Sequence, residues 1–397
     1  MVNNRKWILA AIVISQFFCT SLWFAGNAVM KELVIQFKLS ENAIGHLTSA
    51  VQLGFITGTL CYGVLTITDR FSPVHIFFGS ALAGAICNLG IIFEDQGLGT
   101  LLLLRFFTGF FLAGIYPVGM KIAADHYDKG LGKALGYLVG ALVIGTALPH
   151  LLRSLTESLP WRFVLILTSV LCVAGGLIML LLVPNGPYRK VSEKPDMKMI
   201  FKVFKSNPFR SASFGYFGHM WELYTFWAFV PVILATWQSI YPGQILNTSI
   251  LSFVIIAVGG IACVISGYLS RRYHAGNVAA IALSASCLCC LFSPLLFLTS
   301  SPLILVAFLI FWGMAVIADS PLFSSLVAQN APLQSKGTAL TIVTCIGFSI
   351  TIISIQLLNV LFQTMDPRYI YMVLAIGPLI GLLAMQMQVR DKKIRQY

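Results

Sequence analysis

Long apolar runs, separated by short polar breaks, recur from one end of the 397-residue chain to the other. A helix that crosses a bilayer core needs about 20 mostly apolar residues. Runs of this length predict twelve transmembrane helices, at residues 7–29, 42–67, 73–93, 99–122, 133–152, 162–183, 212–237, 248–269, 277–299, 302–327, 338–362 and 369–389. The runs are continuous rather than alternating at every second residue, so the pattern excludes a transmembrane β-barrel.

The longest connection between these helices, from Pro184 to Arg210, divides them into two sets of six. We therefore predict an all-α membrane protein with an N-terminal six-helix bundle over residues 1–183, a cytoplasmic central loop over 184–210 and a C-terminal six-helix bundle over 211–397. Within the loop, residues 196–205 place apolar side chains on one helical face and lysines largely on the other. This pattern fits a short helix on the inner membrane surface, and a mobile basic linker is the alternative.

Composition changes this picture mainly through the placement of charge. Apolar residues make up 58% of the chain and charged residues 10%, which leaves no space for a long soluble domain. With a cytoplasmic N-terminus, most of the basic residues fall on the inner side, namely Arg5, Lys6, Arg70, Lys121, Lys129, Lys133, Arg189, Lys190, Lys194, Lys198, Lys202, Lys205, Arg210, Arg271, Arg272, Lys336, Arg390, Lys392, Lys393 and Arg395. The outer side carries only Lys31, Lys38, Arg153, Arg162 and Arg368. This positive-inside pattern predicts a multi-pass protein of the cytoplasmic (inner) membrane with both termini in the cytoplasm. It also accounts for the net charge of +12 without a nucleic-acid partner.

The nine cysteines all lie in the apolar spans, and none has the spacing of zinc ligands with a nearby histidine. We expect them to pack as small hydrophobic side chains, and we expect neither a metal nor another cofactor. The first predicted helix, from Trp7, is too long for the core of a signal peptide, so we expect it to remain as an anchor. The protein is expected to act as a monomer.

A loop signature is repeated in the two halves. Gly63, Leu65, Asp69 and Arg70 follow the second predicted helix, and the corresponding turn after the eighth carries Gly267, Leu269, Arg271 and Arg272. Two helical halves with a repeated loop are typical of transporters built from internal repeats.

These turns, the six-plus-six arrangement and the basic central loop resemble the major facilitator superfamily over the whole chain. In that family the loop after the second helix reads G-x-L-a-D-R-x-G-R, whereas this chain has two extra residues before Asp69 and has Ser72-Pro73 near the second glycine. The run from Arg105 to Gly109 is similar to the family's R-x-x-x-G signature on the fourth helix. The chain lacks the G-P-x-x-G-G pattern of many drug/proton antiporters on the fifth helix.

The resemblance implies a two-bundle secondary transporter in which helices one, four, seven and ten line a central cavity. It further implies a role for Arg105 in proton coupling and an inner gate at Asp69, Arg70, Arg271 and Arg272. Retention of topology alone is the alternative function of those four gate residues.

Four ionisable residues lie within predicted spans, where a charge costs a few kcal/mol and is a functional candidate by default. They are Arg105, His219, Glu222 and Asp319, and all lie on helices that the resemblance places around the cavity. Glu222, roughly 15 Å from the inner end of its helix, is the first candidate for a proton carrier. His219 lies one helical turn away and can share its proton. A purely structural His–Glu pair is the alternative.

The other candidates concern substrate binding. The planar guanidinium of Arg105 can hold an anionic group of a substrate, or neutralise Glu222 or Asp319, and a structural anchor is its alternative role. Asp319 precedes Ser320-Pro321, so it can cap a helix that starts inside the membrane, bind ligand, or do both. The aromatic residues Tyr116, Trp221 and Tyr224 are candidates for the cavity wall. Polar residues in other spans are expected to hydrogen bond between helices, namely Gln16, Asn27, Gln52, Gln356 and Asn359.

The sequence therefore favours proton-coupled import of a small organic solute, which can be anionic, by alternating access. Its partners would be the solute, protons and membrane lipid, with substrate contacts at Arg105, Tyr116, Trp221, Glu222 and Tyr224. Proton-antiport efflux of drug-like compounds or metabolites is the alternative within transport. An intramembrane enzyme and a non-transporting receptor are alternatives from other classes, although the chain has no H-E-x-x-H zinc motif.

Overall fold

The computed structural model of the chain describes residues 5–40, 42–127, 131–189, 203–331 and 336–394. Over these ranges all regular secondary structure is helical, which confirms the predicted all-α class. Most of the segment 196–205, for which a membrane-surface helix was predicted, lies outside the described residues.

The first half of the chain contains both long helices and short helical segments. In chain order they are α1 (Arg5–Thr20), α2 (Ala25–Ala28), α3 (Met30–Gln36), α4 (Ala43–Val64), α5 (Ile67–Arg70), α6 (Pro73–Gly90), α7 (Leu98–Leu112), α8 (Tyr116–His126), α9 (Leu131–Leu155) and α10 (Arg162–Leu182).

The second half begins with the longest helix of the described residues. Its helices are α11 (Asn207–Ile240), α12 (Thr248–Ala257), α13 (Gly259–Arg272), α14 (Ala275–Phe292), α15 (Pro302–Ala318), α16 (Ser320–Asn330), α17 (Lys336–Thr364) and α18 (Ile376–Ile394), with 3₁₀ segments at Ser293–Leu298 and Ile370–Ala375.

Within the described ranges, eleven helical segments are long and apolar enough to cross a membrane. The first predicted span is represented by a shorter apolar helix, Trp7–Thr20, after which the chain turns before α2. Large apolar side chains are exposed along the helices, including Leu181 (74%), Ile281 (70%) and Leu303 (78%). Surfaces of this kind indicate a lipid environment rather than water.

Residue contacts divide the chain into two compact units. One comprises Met1–Ser192 with Ser252–Ala257, and the other comprises Glu193–Leu251 with Val258–Tyr397. The predicted boundaries at 1–183, 184–210 and 211–397 stay a prediction.

In the first unit, α4 and α7 approach closely because both carry glycine at the contact. A Cβ atom on Gly54 would lie 1.8 Å from the carbonyl oxygen of Phe106, and one on Gly109 would lie 2.0 Å from that of Val51. Small residues at such crossings allow helix backbones to pack in an apolar environment. The second unit uses the same device, since a Cβ on Gly218 of α11 would lie 2.4 Å from the carbonyl oxygen of Gly377 in α18.

Several predicted spans are interrupted within their length. The fourth breaks between α7 and α8, the eighth at Val258 between α12 and α13, and the tenth at Asp319 between α15 and α16. Interrupted helices free backbone groups inside the membrane and mark binding sites in many transporters. The break at Asp319 belongs to the cluster described next.

Candidate functional site

Glu222 lies on α11 with its side chain fully buried inside the second unit. The indole Nε1 of Trp312 on α15 donates a hydrogen bond of 2.6 Å to its Oε1 atom. The thiol of Cys290 on α14 donates to the same oxygen at 3.3 Å. The Oε2 atom has no hydrogen-bond partner among the residues that the structure describes. Glu222 is therefore surrounded by uncharged donors on two neighbouring helices.

Aromatic packing holds Trp312 against α11. The rings of Phe226 and Trp312 are 4.6 Å apart between centroids, and the ring of Phe308 is edge-on to the indole at 6.1 Å. Because these contacts restrict the indole, its N–H stays directed at Glu222.

His219 lies one turn before Glu222 on α11, but it pairs with Asp319. Its Nδ1 atom is 2.7 Å from Asp319 Oδ1, and both side chains are buried. The two side chains lie on the same face of α11, but they meet different parts of the tenth span: Glu222 meets Trp312 within α15, and His219 meets Asp319 where α15 ends. The shared His219–Glu222 proton that the sequence suggested has no direct contact to support it, and Asp319 takes that place beside the histidine.

Asp319 sits at the junction between α15 and α16. Its carbonyl oxygen accepts hydrogen bonds from the backbone N–H groups of Leu322 (3.0 Å) and Phe323 (2.9 Å), which start the next helix. Its carboxylate makes no capping hydrogen bond and turns to His219 instead. Asp319 thus occupies the capping position while its side chain links the helix break to α11.

Arg105 is buried in the first unit and binds the main chain where the first span breaks. Its Nη1 donates to the carbonyl of Leu22 at 3.1 Å and its Nη2 to that of Trp23 at 2.5 Å. A Cβ on Gly26 would lie 3.4 Å from its Nε atom, so glycine leaves space for the guanidinium. These carbonyls would otherwise be unpaired between α1 and α2, and a guanidinium satisfies both at once. In this structure Arg105 anchors a broken helix.

The predicted cavity aromatics are dispersed. Trp221 donates from Nε1 to the carbonyl of Val373 at 3.2 Å, so it faces the 3₁₀ segment Ile370–Ala375. Tyr224 is buried with its ring 5.3 Å from that of Trp227 and 5.1 Å from that of Phe348. Tyr116 lies in the first unit as the first residue of α8 and is half-buried.

The predicted gate residues also differ in their surroundings. Asp69 forms an ion pair with Lys121, and Arg189 donates to the carbonyls of Asp69 at 3.1 Å and Phe71 at 2.8 Å. Arg70 is exposed. Sequence reasoning counted Lys121 and Arg189 only as topology charges, because nothing in their spacing shows that they reach the loop after the second span.

In the second unit, Arg271 and Arg272 are exposed at the end of α13. The guanidinium of Arg271 lies 5.4 Å from the ring centroid of Tyr268, and that of Arg272 lies 5.7 Å from that of Tyr273. These cation–π contacts hold both arginines at their own helix end.

Sequence reasoning missed other buried polar groups. His150 on α9 is buried, and its Nε2 atom has no partner among the described residues.

Gln16 and Gln52 were expected to hydrogen bond between helices, yet neither amide has a partner within the described ranges. Asn27 meets the expectation by donating to the hydroxyl of Thr48 at 2.8 Å.

Cys290 and Trp312 offered no sequence signal for the site, because thiols and indoles in apolar helices are ordinary core residues. No group of three or more potential metal ligands occurs in the part of the chain that the structure describes.

Comparison with known proteins places the chain in a family. The family model described as Major Facilitator Superfamily matches residues 11–355. The chain is 28% identical over 193 residues to the "MFS-type transporter acdC" of Aspergillus candidus, covering 47% of this chain and 37% of that protein. It is 26% identical over 197 residues to the "Ascochitine biosynthesis cluster MFS transporter" of Didymella fabae, with the same coverage of 47% and 37%. The matched region thus spans well under half the length of these curated relatives.

Solved structures show the same fold over nearly the full length. An inward-facing, unoccupied bacterial homolog of the human lysosomal transporter Spinster aligns with a TM-score of 0.71 at 16% identity, covering 98% of this chain and 99% of the other. The nucleoside transporter NupG aligns with a TM-score of 0.73 at 14% identity, covering 96% and 99%. Relatives and structural neighbours are transporters rather than enzymes, which removes the intramembrane enzyme from the alternatives. The chain belongs to the Major Facilitator Superfamily.

Proposed function

We propose that this protein is a proton-coupled secondary transporter of a small organic solute, working by alternating access in a cytoplasmic membrane, with import favoured. Membership of the family supports transport. One observation supports the proton: Glu222 is fully buried, and the hydrogen bonds to its carboxylate within the described residues come from the uncharged donors Trp312 and Cys290.

A buried carboxylate without a cationic partner is costly when ionised, whereas its protonated form is neutral. The protonated state is therefore favoured while the site is closed. When the protein opens the site to one side of the membrane, water reaches the group and the proton can leave. A gradient then biases the exchange between the two open states.

The proposed solute contacts are at Tyr116, Trp221 and Tyr224. Arg105 and Glu222 belong to the same proposal, although both terminal nitrogens of Arg105 already bind the carbonyls of Leu22 and Trp23. An anionic solute would have to displace those bonds, so a solute without negative charge fits this arrangement better. The other proposed partners are protons and membrane lipid, and we propose a monomer.

Proton-antiport efflux is the second candidate. It is supported by one relative, which is named as the transporter of an ascochitine biosynthesis cluster. The name of that protein links it to a biosynthesis cluster, and for this chain we propose export of a metabolite as the corresponding task. In this mechanism Glu222 would carry the proton that is exchanged for the exported solute.

Reconstitution tests both directions. Solutes that raise the unfolding temperature of the purified protein would first be identified, because a ligand stabilises the state that it binds. Liposomes would then receive an imposed pH gradient together with the labelled solute. Accumulation driven by an inward proton gradient supports import, and accumulation driven by an outward gradient supports efflux. Solute uptake at the same rate and to the same level with and without the pH gradient would overturn proton coupling.

A further inference from the structure

We infer that Glu222 alone exchanges a single proton in each transport cycle, whereas the His219–Asp319 pair keeps a constant net charge and acts as a positioning pair. This inference rests on the proposed proton coupling and assigns separate roles within the same cluster. It follows from the charges that the buried side chains of His219, Glu222 and Asp319 can carry in the second unit.

The His219–Asp319 pair is neutral in either of its proton arrangements. Nδ1 of His219 and Oδ1 of Asp319 are 2.7 Å apart, so a proton carried by either side chain lies against the other. If it stays on the imidazolium, its positive charge cancels the carboxylate. If it moves to the carboxylate, both groups are uncharged. Ionising one partner without the other would leave a buried, unpaired charge, which costs several kcal/mol.

Glu222 has no such compensation. The groups that face it are Trp312 from α15 and uncharged side chains from α14, namely Ser286, Cys287, Cys289 and Cys290. Asp319 is the charged group that acts on Glu222 among the described residues, and it carries the same sign. His219, the nearest titratable group on α11, is already paired with Asp319. The cluster therefore changes its net charge only when Glu222 gains or loses its proton.

The contacts also indicate where that proton sits. Oε1 accepts hydrogen bonds from Trp312 and Cys290, so the acidic hydrogen belongs on Oε2. Oε2 is buried and has no partner among the described residues, so nothing there competes for the hydrogen. Trp312 holds the carboxyl orientation and is thereby a positioning residue.

The His219–Asp319 pair has a structural task that does not require titration. Asp319 stands where the tenth span breaks, and its link to His219 ties this break to α11. A neutral hydrogen-bonded pair of similar shape should supply the same link. Replacing both residues together, His219→Gln with Asp319→Asn, removes the titratable groups while leaving a donor and an acceptor.

Infrared difference spectroscopy tests the assignment with the proton itself as the probe. The full-length protein in lipid bilayers would be titrated with pH, and the carbonyl stretch of protonated carboxylic acids followed in the wild type, Glu222→Gln and the double variant. We expect the buried-carboxyl band that changes with pH to disappear in Glu222→Gln and to persist in the double variant. Thermal unfolding of each variant confirms that it is folded.

Two results would overturn the inference: persistence of a buried-carboxyl band that changes with pH in Glu222→Gln, or loss of that pH-dependent band in a folded double variant. Should the double variant not fold, Asp319→Asn alone decides, because the inference requires that the band persist in it as well. Failure of the proposed function would look different. In that case the band would titrate in the wild type while no solute movement responded to the pH gradient.

Discussion

The carboxylate of Asp319, at the junction between α15 and α16, lies 2.7 Å from the imidazole of His219 on α11, and both side chains are buried. The pair joins the interrupted tenth span to the seventh. The position of Asp319 before Ser320-Pro321 in the sequence favours a helix cap, yet its side chain makes a tertiary contact with His219 instead.

Removing one member of this pair should destabilise the second unit strongly. His219→Ala leaves a buried carboxylate without its partner, and we expect a loss of about 3 kcal/mol in the free energy of unfolding. His219→Gln combined with Asp319→Asn should recover much of that loss. Unfolding curves of both single variants and the double variant measure the coupling. Strictly additive losses would contradict a direct interaction.

Trp312→Phe should impair coupling more than stability. The substitution removes the Nε1–H donor to Glu222 but retains an aromatic ring against Phe226. We expect the loss of stability to be about 1 kcal/mol and gradient-driven accumulation to fall several-fold.

Trp237→Phe is the matched control for this change. Its Nε1 donates to the carbonyls of Leu296 and Thr299 rather than to a carboxylate. The control should lose stability while keeping its response to the pH gradient. Equal effects of both substitutions on coupling would argue against a specific role for Trp312.

Arg105→Lys should loosen the broken first span even though it keeps the positive charge. A lysine ammonium cannot reproduce the planar fork that binds the carbonyls of Leu22 and Trp23. We expect a loss of about 2 kcal/mol in unfolding free energy, measured by thermal unfolding in detergent. Arg70→Lys, at an exposed position, is the control and should unfold like the wild type.

Gly109→Ala should separate α4 from α7. The added Cβ would lie 2.0 Å from the carbonyl oxygen of Val51, and a backbone atom cannot move aside alone. We expect a loss of about 2 kcal/mol or more. Gly136→Ala provides the contrast, since nothing lies within 4 Å of its Cβ position, and alanine favours a helix by up to about 1 kcal/mol. Similar losses at both positions would refute the close approach.

Much of the architecture could be predicted because it depends on local properties of the chain. About 20 apolar residues in a row define a transmembrane helix wherever they fold. The helical class and the family resemblance followed from such runs and from the motif around Arg105. The short first helix was not predicted, because its break depends on the hydrogen bonds that Arg105 makes to Leu22 and Trp23, far along the chain.

The sequence by itself determined which costly groups lie in the membrane, since Arg105, His219, Glu222 and Asp319 are ionisable residues within apolar runs. Only the tertiary structure decided which groups they meet. Helical spacing placed His219 beside Glu222 on one element, but packing turned the first toward Asp319 and the second toward Trp312. The reason is physical: spacing along a helix defines a direction, whereas a partner in the bilayer interior is supplied by whichever neighbouring helix faces that direction.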